Sequence, residues 1–397
     1  MMLNIYDIIK KQKYNFIIFL LVIFNLFFPK GGIKISDIPI TIGMILLIMV
    51  LFYQVFNNLY HKRLLTISKD RFFILASWLP FQLILLMCFS FNGTNSLGVF
   101  LSMVFSFIFL PWMFIFVEGN HFDILNKNFL FKLIRFGIIF VAIFGIINFM
   151  MGNTIEIPFL TVNYMDLGEI NDKNIKRGED LYKLISTYQN GNIYGASMLL
   201  LLPLFCFLEK RTWLQVIVKI SILLTLSRTA WIGLLLYEFL KIIFIKFSAK
   251  KLISFLLMVS GIVIVISMLL SLMEVDINFI FDENLGSRRG ALEQIDMSII
   301  VGSTAIGWYS DIVYANIMLN FGLLGLISFI FAVLSPILIY MKNKKVDLVK
   351  KNLVLGYIIY LIISCSDGAI LLLPVMIFFW FIVLSITSKN LTNINLK

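Results

Sequence analysis

Charge is the scarcest property of this chain. Only 14% of its 397 residues are Asp, Glu, Lys or Arg, whereas a soluble domain carries about 25%. So few charges cannot coat a globule of this length, which excludes a soluble fold. Histidine and cysteine are scarce as well, with two of the first and three of the second. Cys88, Cys206 and Cys365 each lie inside an apolar run, at spacings that suit neither a disulfide framework nor a zinc site. They read as small buried hydrophobes. His61 and His121 stand far apart in segments that the topology below assigns to the cytoplasm, so chemistry on the outer face must proceed without histidine. There is no Walker loop, no Gly-x-Gly-x-x-Gly and no His-Glu-x-x-His. The longer polar segments hold no tight Asp-x-Asp pair to carry a metal with a nucleotide sugar. ATP, nicotinamide and nucleotide donors are thereby excluded, and neither cofactor nor metal is expected.

What the chain does have is hydrocarbon. Hydrophobic residues make up 60%, aromatics 15%, and the mean hydropathy is +0.97. Apolar runs long enough to cross about 30 Å of lipid recur from end to end. They fall near 14–29, 38–56, 72–90, 96–117, 131–151, 193–208, 213–227, 229–246, 252–273, 313–340, 353–366 and 369–387. The fold class expected is an all-α polytopic membrane protein with about twelve spans, a single integral membrane domain over 1–397. The first run follows Lys10, Lys11 and Lys13 but ends in Pro29-Lys30-Gly31-Gly32 without a clear small-x-small cleavage site. It reads as a first span, not a signal peptide.

The net charge of +11 is a matter of orientation. Basic clusters such as Lys62/Arg63, Lys250/Lys251 and Lys342/Lys344/Lys345 sit between runs, as cytoplasmic loops require. None is interleaved with aromatics on a soluble domain, so nucleic acid is not an expected partner. With both termini inside, inner segments collect about 24 of the 33 Lys and Arg and outer segments most of the Asp and Glu. Two long connections then fall outside, 152–192 and 274–312. Long polar and aromatic connections are usually functional. In the second, apolar residues at Ala291, Leu292, Ile295, Ile299 and Ile300 predict a short helix lying on the membrane over 289–300.

The candidate chemistry lies around these connections. Arg228, in Leu226-Ser227-Arg228-Thr229-Ala230-Trp231, stands between two apolar stretches with almost no loop. A guanidinium suits a diphosphate because it is always charged and bidentate. A snorkelling Arg preceded by a capping Ser227 is the plainer reading. Arg288 and Arg289 open the short helix as a second cationic element, or form a solvated turn. Asp311 closes Gly307-Trp308-Tyr309-Ser310-Asp311 before the tenth run and reads either as a helix cap or as a proton acceptor beside two aromatics. Tyr188, Gln189, Asn190 and Asn192 are amide-rich and aromatic, as sugar-binding surfaces and turns both are. Asp367-Gly368 reads as a tight turn.

The order of Gln189-Asn190-Gly191-Asn192, Ser227-Arg228-Thr229-Ala230-Trp231, Arg288/Arg289 with Leu292, Gly307 and Gly322-Leu323-Leu324-Gly325 resembles that of the bacterial O-antigen and capsule polymerases and O-antigen ligases. That resemblance implies a membrane fold akin to the lipid-dependent (GT-C-like) glycosyltransferases, in the bacterial cytoplasmic (inner) membrane. It implies a metal-independent polymerase that joins undecaprenyl-diphosphate-linked oligosaccharide repeats, donor and acceptor alike, into lipopolysaccharide O-antigen or capsule. A chain-length regulator and a flippase would be partners in the same pathway. By position, Arg228 and Arg289, with Arg288, would grip the donor diphosphate, and Asp311 would serve the acceptor. Ser227, Tyr188, Asn190, Asn192, Trp308 and Tyr309 would line the substrate. The ligase branch carries a His-Asn pair about eleven residues before its Gly-Leu-x-Gly motif. Asp311-Ile312 holds that place here, which favours the polymerase branch over a ligase. A flippase or other transporter would instead show internal repeats and several charges buried in its spans.

Overall fold

The computed structural model describes residues 15–35, 38–60, 67–112, 127–161, 175–176, 179–245, 288–342, 347–367 and 374–388, with scattered helical positions between Ile253 and Met268. Both histidines lie outside the described residues. The chain is a helical bundle. In order it forms α1 (Asn15–Phe27), a β1–β2 hairpin (Gly32–Ile35, Ile38–Thr41), α2 (Ile42–Tyr60), α3 (Lys69–Asn92) and α4 (Leu97–Trp112). Then come α5 (Lys127–Met151), the short pair β3–β4 (Ile175–Lys176, Glu179–Tyr182), α6 (Gly191–Leu208), α7 (Thr212–Leu223) and α8 (Arg228–Ile245). The last helices are α9 (Arg288–Glu293), α10 (Val313–Lys342), α11 (Leu348–Ile363) and α12 (Val375–Thr387). Helix thus occupies most of the described part of the apolar runs, except that the second opens as strand β2 and the ninth, 252–273, lies largely outside the described residues.

Among the described residues, α3, α5, α6 and α10 are long and apolar enough to cross a membrane; α1, α4, α7, α12 and the Ile42–Tyr53 part of α2 are apolar but shorter. Phe72, Leu83, Phe136, Met150, Ile232 and Ile327 stand exposed along these helices. Apolar surface on that scale marks a face that meets lipid. α6 is different: 83% of its span is buried, as expected of a helix apolar all round. It packs against α11 and α8, while α3 packs along α10. Gly356 brings α11 onto the backbone of α6, since a Cβ there would lie 2.2 Å from the Leu200 carbonyl. Small residues let apolar helices approach in this way.

The core between α3, α4, α10 and α12 is aromatic. Trp78, fully buried, meets Phe81, Phe107, Phe329, Phe379 and Trp380 at centroid distances of 5.2–6.3 Å. Two stretches of π-helix, Ile23–Phe27 and Phe105–Phe109, interrupt α1 and α4. Each leaves carbonyls short of a backbone donor, and side chains from distant elements supply one. Trp380 Nε1 donates to Ser106 O at 2.7 Å, Gln82 Nε2 to Phe107 O at 2.7 Å, and the Tyr188 hydroxyl to Leu26 O at 3.2 Å. Pro336 has no N–H for the Ala332 carbonyl, and the Ser335 hydroxyl donates to that carbonyl at 2.7 Å.

Two expectations need correction. Cys88 is buried and Cys206 partly so, but Cys365 sits exposed in the turn after α11. The short helix stops at Glu293 instead of continuing to residue 300. The Asp296 carboxylate accepts from Ser298 N at 2.8 Å, a turn that competes with helix, and the Ile299 and Ile300 carbonyls bond Leu323 N and Leu324 N of α10 instead of their own segment. Within α7 and α8, Lys219, Glu238 and Lys241 gather into one cluster.

At the α6–α7 connection, Glu209 is buried yet charged. Arg211 donates to it from Nε at 3.0 Å, from Nη2 at 2.9 Å and from its backbone at 2.9 Å, and Arg135 Nε on α5 lies 3.8 Å away. The Arg211 hydrogen bonds, against the cost of burial, hold the carboxyl down at about 2 from an ordinary 4.5. A carboxyl depressed on folding stabilises fully above its ordinary pKa and loses that contribution as pH falls through the folded value. Glu209→Gln should therefore lower the thermal midpoint at neutral pH and flatten its decline between about pH 4.5 and 2. Parallel melting curves of variant and parent across that window would contradict the assignment.

Candidate functional site

Several helix ends meet at the end of the bundle opposite Glu209. The α7–α8 turn is the tightest. Thr225 Oγ1 donates to Ile222 O at 2.7 Å, and Leu226 takes a left-handed backbone with φ of 53°. A branched side chain there costs about 1–3 kcal/mol, and such residues gather at functional sites. Ser227 Oγ then accepts from Ala230 N at 3.4 Å, which is cap geometry, and Trp231 Nε1 donates back across the turn to Leu223 O at 2.8 Å. The result sets half-buried Arg228 as the first residue of α8.

Two more left-handed residues, Ser186 (φ 51°) and Gln189 (φ 58°), precede α6. Leu184 N bonds Leu224 O at 3.0 Å, so this segment lies against the α7–α8 turn. Gly191 and Gly195 allow the approach: a Cβ on Gly195 would lie 3.0 Å from the Ala230 Cβ. Asn190 caps α6, its Oδ1 accepting from Asn192 N at 2.8 Å and Ile193 N at 3.3 Å. Tyr188 is fully buried with its hydroxyl on Leu26, and Gln189 Nε2 donates to Thr161 O at 2.8 Å. Their polar groups hold the first long connection to the bundle, and only half-buried Asn192 has a side chain without a hydrogen bond in this group.

The end of α11 joins from the other side. Thr229 Oγ1 and Ser366 Oγ are 2.8 Å apart, so the neighbours of Arg228 and Asp367 are bonded to each other. Asp367, which reads from sequence as a mere turn residue, is buried at 8% exposure. Its burial had no sequence signal beyond the charge itself. Val313 N at the start of α10 bonds Ser364 O at 3.2 Å, and the Tyr314 hydroxyl donates to Leu361 O at 3.1 Å. The segment 307–312 is thereby brought to the same end.

That segment is held by two buried asparagines of α10. Asn320 Oδ1 accepts from Gly307 N at 2.8 Å while its Nδ2 donates to Gly307 O at 3.0 Å and Asn316 O at 2.7 Å. Asn316 Oδ1 accepts from Tyr309 N at 2.9 Å and Ser310 N at 3.3 Å. Ser310 Oγ takes Ile312 N at 3.0 Å, leaving exposed Asp311 free of capping duty. Its Oδ1 accepts from Trp308 Nε1 at 3.1 Å. Tyr309 is tied to the α3–α4 turn, where Asn95 Nδ2 donates to its hydroxyl at 3.2 Å. Gly322 (φ 71°) breaks α10 just beyond, against the backbone of 300–302.

Of the residues singled out from sequence, Ser227, Arg228, Asn190, Asn192, Trp308, Tyr309 and Asp311 therefore lie on segments that meet at one end. Arg288 and Arg289 open α9, and their side chains lie outside the described ones. Among the described residues, no three His, Cys, Asp or Glu side chains are grouped to hold a metal ion. No family model matches the chain, and it has no match among the curated proteins or the solved structures.

Asn320→Leu should orphan both polar groups of Gly307 and cost about 1–3 kcal/mol, the desolvation penalty of buried unpaired groups. The check is a thermal midpoint in detergent together with proteolysis of the 303–311 segment, which should become faster. An unchanged midpoint and cleavage pattern would show that the asparagine does not hold the segment.

Proposed function

We propose that this protein polymerises undecaprenyl-diphosphate-linked oligosaccharide repeats on the outer face of a bacterial cytoplasmic membrane, as a metal-independent glycosyltransferase with about twelve spans and both termini inside. The observation that supports this reading is that the start of α8, beside Arg228, and the start of α10, beside Asp311, are both tied to the end of α11: Thr229 bonds Ser366, and Val313 bonds Ser364. A cation at a helix start and an exposed carboxylate held by an indole are what transfer from a lipid diphosphate to a sugar hydroxyl calls for.

In this mechanism Arg228 and Arg289, with Arg288, hold the donor diphosphate. Asp311 has one oxygen on the Trp308 indole, which orients the other toward an acceptor hydroxyl. That hydroxyl gives its proton to the Asp311 carboxylate as its oxygen bonds the anomeric carbon of the donor glycan. The bond from that carbon to the diphosphate oxygen breaks, and undecaprenyl diphosphate leaves with the electron pair. The arginines stabilise the charge growing on the bridging oxygen, and alignment of the two glycans supplies several kcal/mol more. Ser227, Asn190 and Tyr188 shape the site from behind, while Asn192, Trp308 and Tyr309 face the glycan.

The interruption of α10 at Gly322 favours a second reading, since broken helices form the midplane sites of secondary transporters. In those sites the freed backbone groups face substrate. Here Leu323 N and Leu324 N are each taken by a carbonyl, Ile299 O and Ile300 O, at 3.0 Å, so the break anchors a loop. A deletion strain separates the classes. Loss of a polymerase leaves a single repeat capped on the surface glycan, loss of a ligase leaves unattached polymer, and loss of a flippase leaves repeats trapped inside.

Arg228→Lys keeps the charge but loses the bidentate fork, and should abolish all but the shortest polymer while protein levels stay normal. A full-length ladder from that variant would remove Arg228 from the mechanism. Exposed Cys365, at the same end, reports the side of the membrane. It should react with a membrane-impermeant maleimide in intact spheroplasts, and Cys365→Ala should abolish that labelling. Reaction only after permeabilisation would place the site in the cytosol and end the proposal.

A further inference from the structure

Away from that end, α7 and α8 carry an ionic cluster between apolar faces. Lys219 Nζ lies 2.5 Å from Glu238 Oε1, and Lys241 Nζ lies 3.6 Å from Oε2 of the same carboxylate. Both ammoniums stand over the ring of buried Tyr237, at 5.8 and 5.4 Å from its centroid. Among the described residues two cations thus share one anion, which leaves a net positive charge on the cluster. The order of exposure places that charge outward: the Glu238 side chain is 12% exposed, Lys219 20% and Lys241 35%. The carboxylate and the aromatic ring form the back of the cluster, and the ammoniums form its front.

What lies in front is hydrocarbon. Val216, one turn before Lys219 on α7, and its neighbour Ile220 are exposed beside the cluster. Toward the α6–α7 connection, exposed Trp213 carries Arg211 near its ring, at 5.9 Å from the centroid, a pairing typical of the membrane–water boundary. Lys241 lies four residues from the end of α8 and Lys219 seven from the start of α7, or roughly 6 and 10 Å at 1.5 Å per residue. That is the depth at which a lysine reaches the headgroup layer.

We infer that Lys219 and Lys241 form a binding site for the phosphate of an anionic phospholipid, whose acyl chains lie along the exposed Val216 and Ile220 of α7. A simple hairpin staple needs one lysine for one glutamate. The second, loosely held at 3.6 Å and the most exposed of the three, has no such purpose, and basic pockets between spans select anionic headgroups. The inference needs only that the helices are embedded in lipid and is independent of the glycosyl-transfer reading.

The test is native mass spectrometry of the full-length protein released from detergent with phosphatidylglycerol or phosphatidylcholine of identical chains. Phosphatidylglycerol should be retained at least about fivefold better, and Lys241→Met should lose about fivefold of that preference, the worth of one lysine near an anionic surface. Lys241 sits at the edge of the cluster, so this variant should keep the parent's gel-filtration profile. Glu238→Gln, which removes the competing carboxylate, should strengthen retention. Equal retention of the two lipids would overturn the inference, as would a Lys241→Met protein that keeps the parent's preference. Complete displacement of the lipid by millimolar inorganic phosphate would also overturn it, because the site would then serve a free anion.

Discussion

In hydrocarbon a backbone amide or carbonyl finds no water, so every departure from a regular helix must be repaired from within the protein. This chain departs often. Its π-helical stretches, its proline at 336, its glycine break at 322 and its left-handed Leu226 each free polar backbone groups or strain the chain. The repairs come from residues far away in sequence: Tyr188 for Leu26, Trp380 for Ser106, Gln82 for Phe107 and the carbonyls of 299 and 300 for the second half of α10. Each repair fixes two distant segments to each other at hydrogen-bond precision. Apolar packing, being non-directional, could not specify those registers so sharply.

The repairs are unevenly placed, and most of the irregular backbone gathers at one end of the bundle. At the Glu209 end a single carboxylate, gripped by Arg211, closes a short connection. At the other end, residues 184–190, 224–227, 302–311 and 364–367 are irregular backbone stitched together by Thr225, Ser227, Asn316, Asn320 and the Thr229–Ser366 pair. Irregular backbone can present side chains at angles that a helix face cannot. Strain of about 1–3 kcal/mol per left-handed residue is tolerable only because packed helices on all sides over-determine the turn. Arg228 is held at a helix start for that reason, and Asp311 escapes capping because Ser310 takes that role.

Much of this was legible in the sequence, and what was not follows a pattern. Run length and hydropathy located the helices, because the cost of exposing backbone to lipid forces long apolar stretches into helix. Arg228, Asp311 and the amide-rich stretch before α6 stood out because charge and amide groups are conspicuous against so apolar a background. The fate of the amides did not, since Asn190 as a cap and Asn320 as a clamp depend on which backbone groups the fold leaves unpaired. Burial of Asp367 was hidden for the same reason: a turn in sequence says nothing of what packs over it. The short helix at 288 was overestimated because its apolar spacing comes from docking on α10, where Ile299 and Ile300 spend their carbonyls on another segment. The clustering of Lys219, Glu238 and Lys241 depends on how α7 folds back on α8, which no spacing in the sequence shows.

That last case separates two kinds of charge in the same bilayer. A charge inside a span costs about 2.5–3.5 kcal/mol on insertion scales, so three of them on one hairpin require a reason. Glu238 answers for one lysine by pairing at 2.5 Å. The remaining cation either meets an anion from outside the chain or destabilises a hairpin that the catalytic proposal needs rigid, since α8 begins at Arg228. A lipid phosphate resolves that conflict. It neutralises Lys241 where the side chain is exposed and steadies the far half of the helix that presents the guanidinium. The surrounding membrane then acts as a structural partner of the hairpin as well as its solvent.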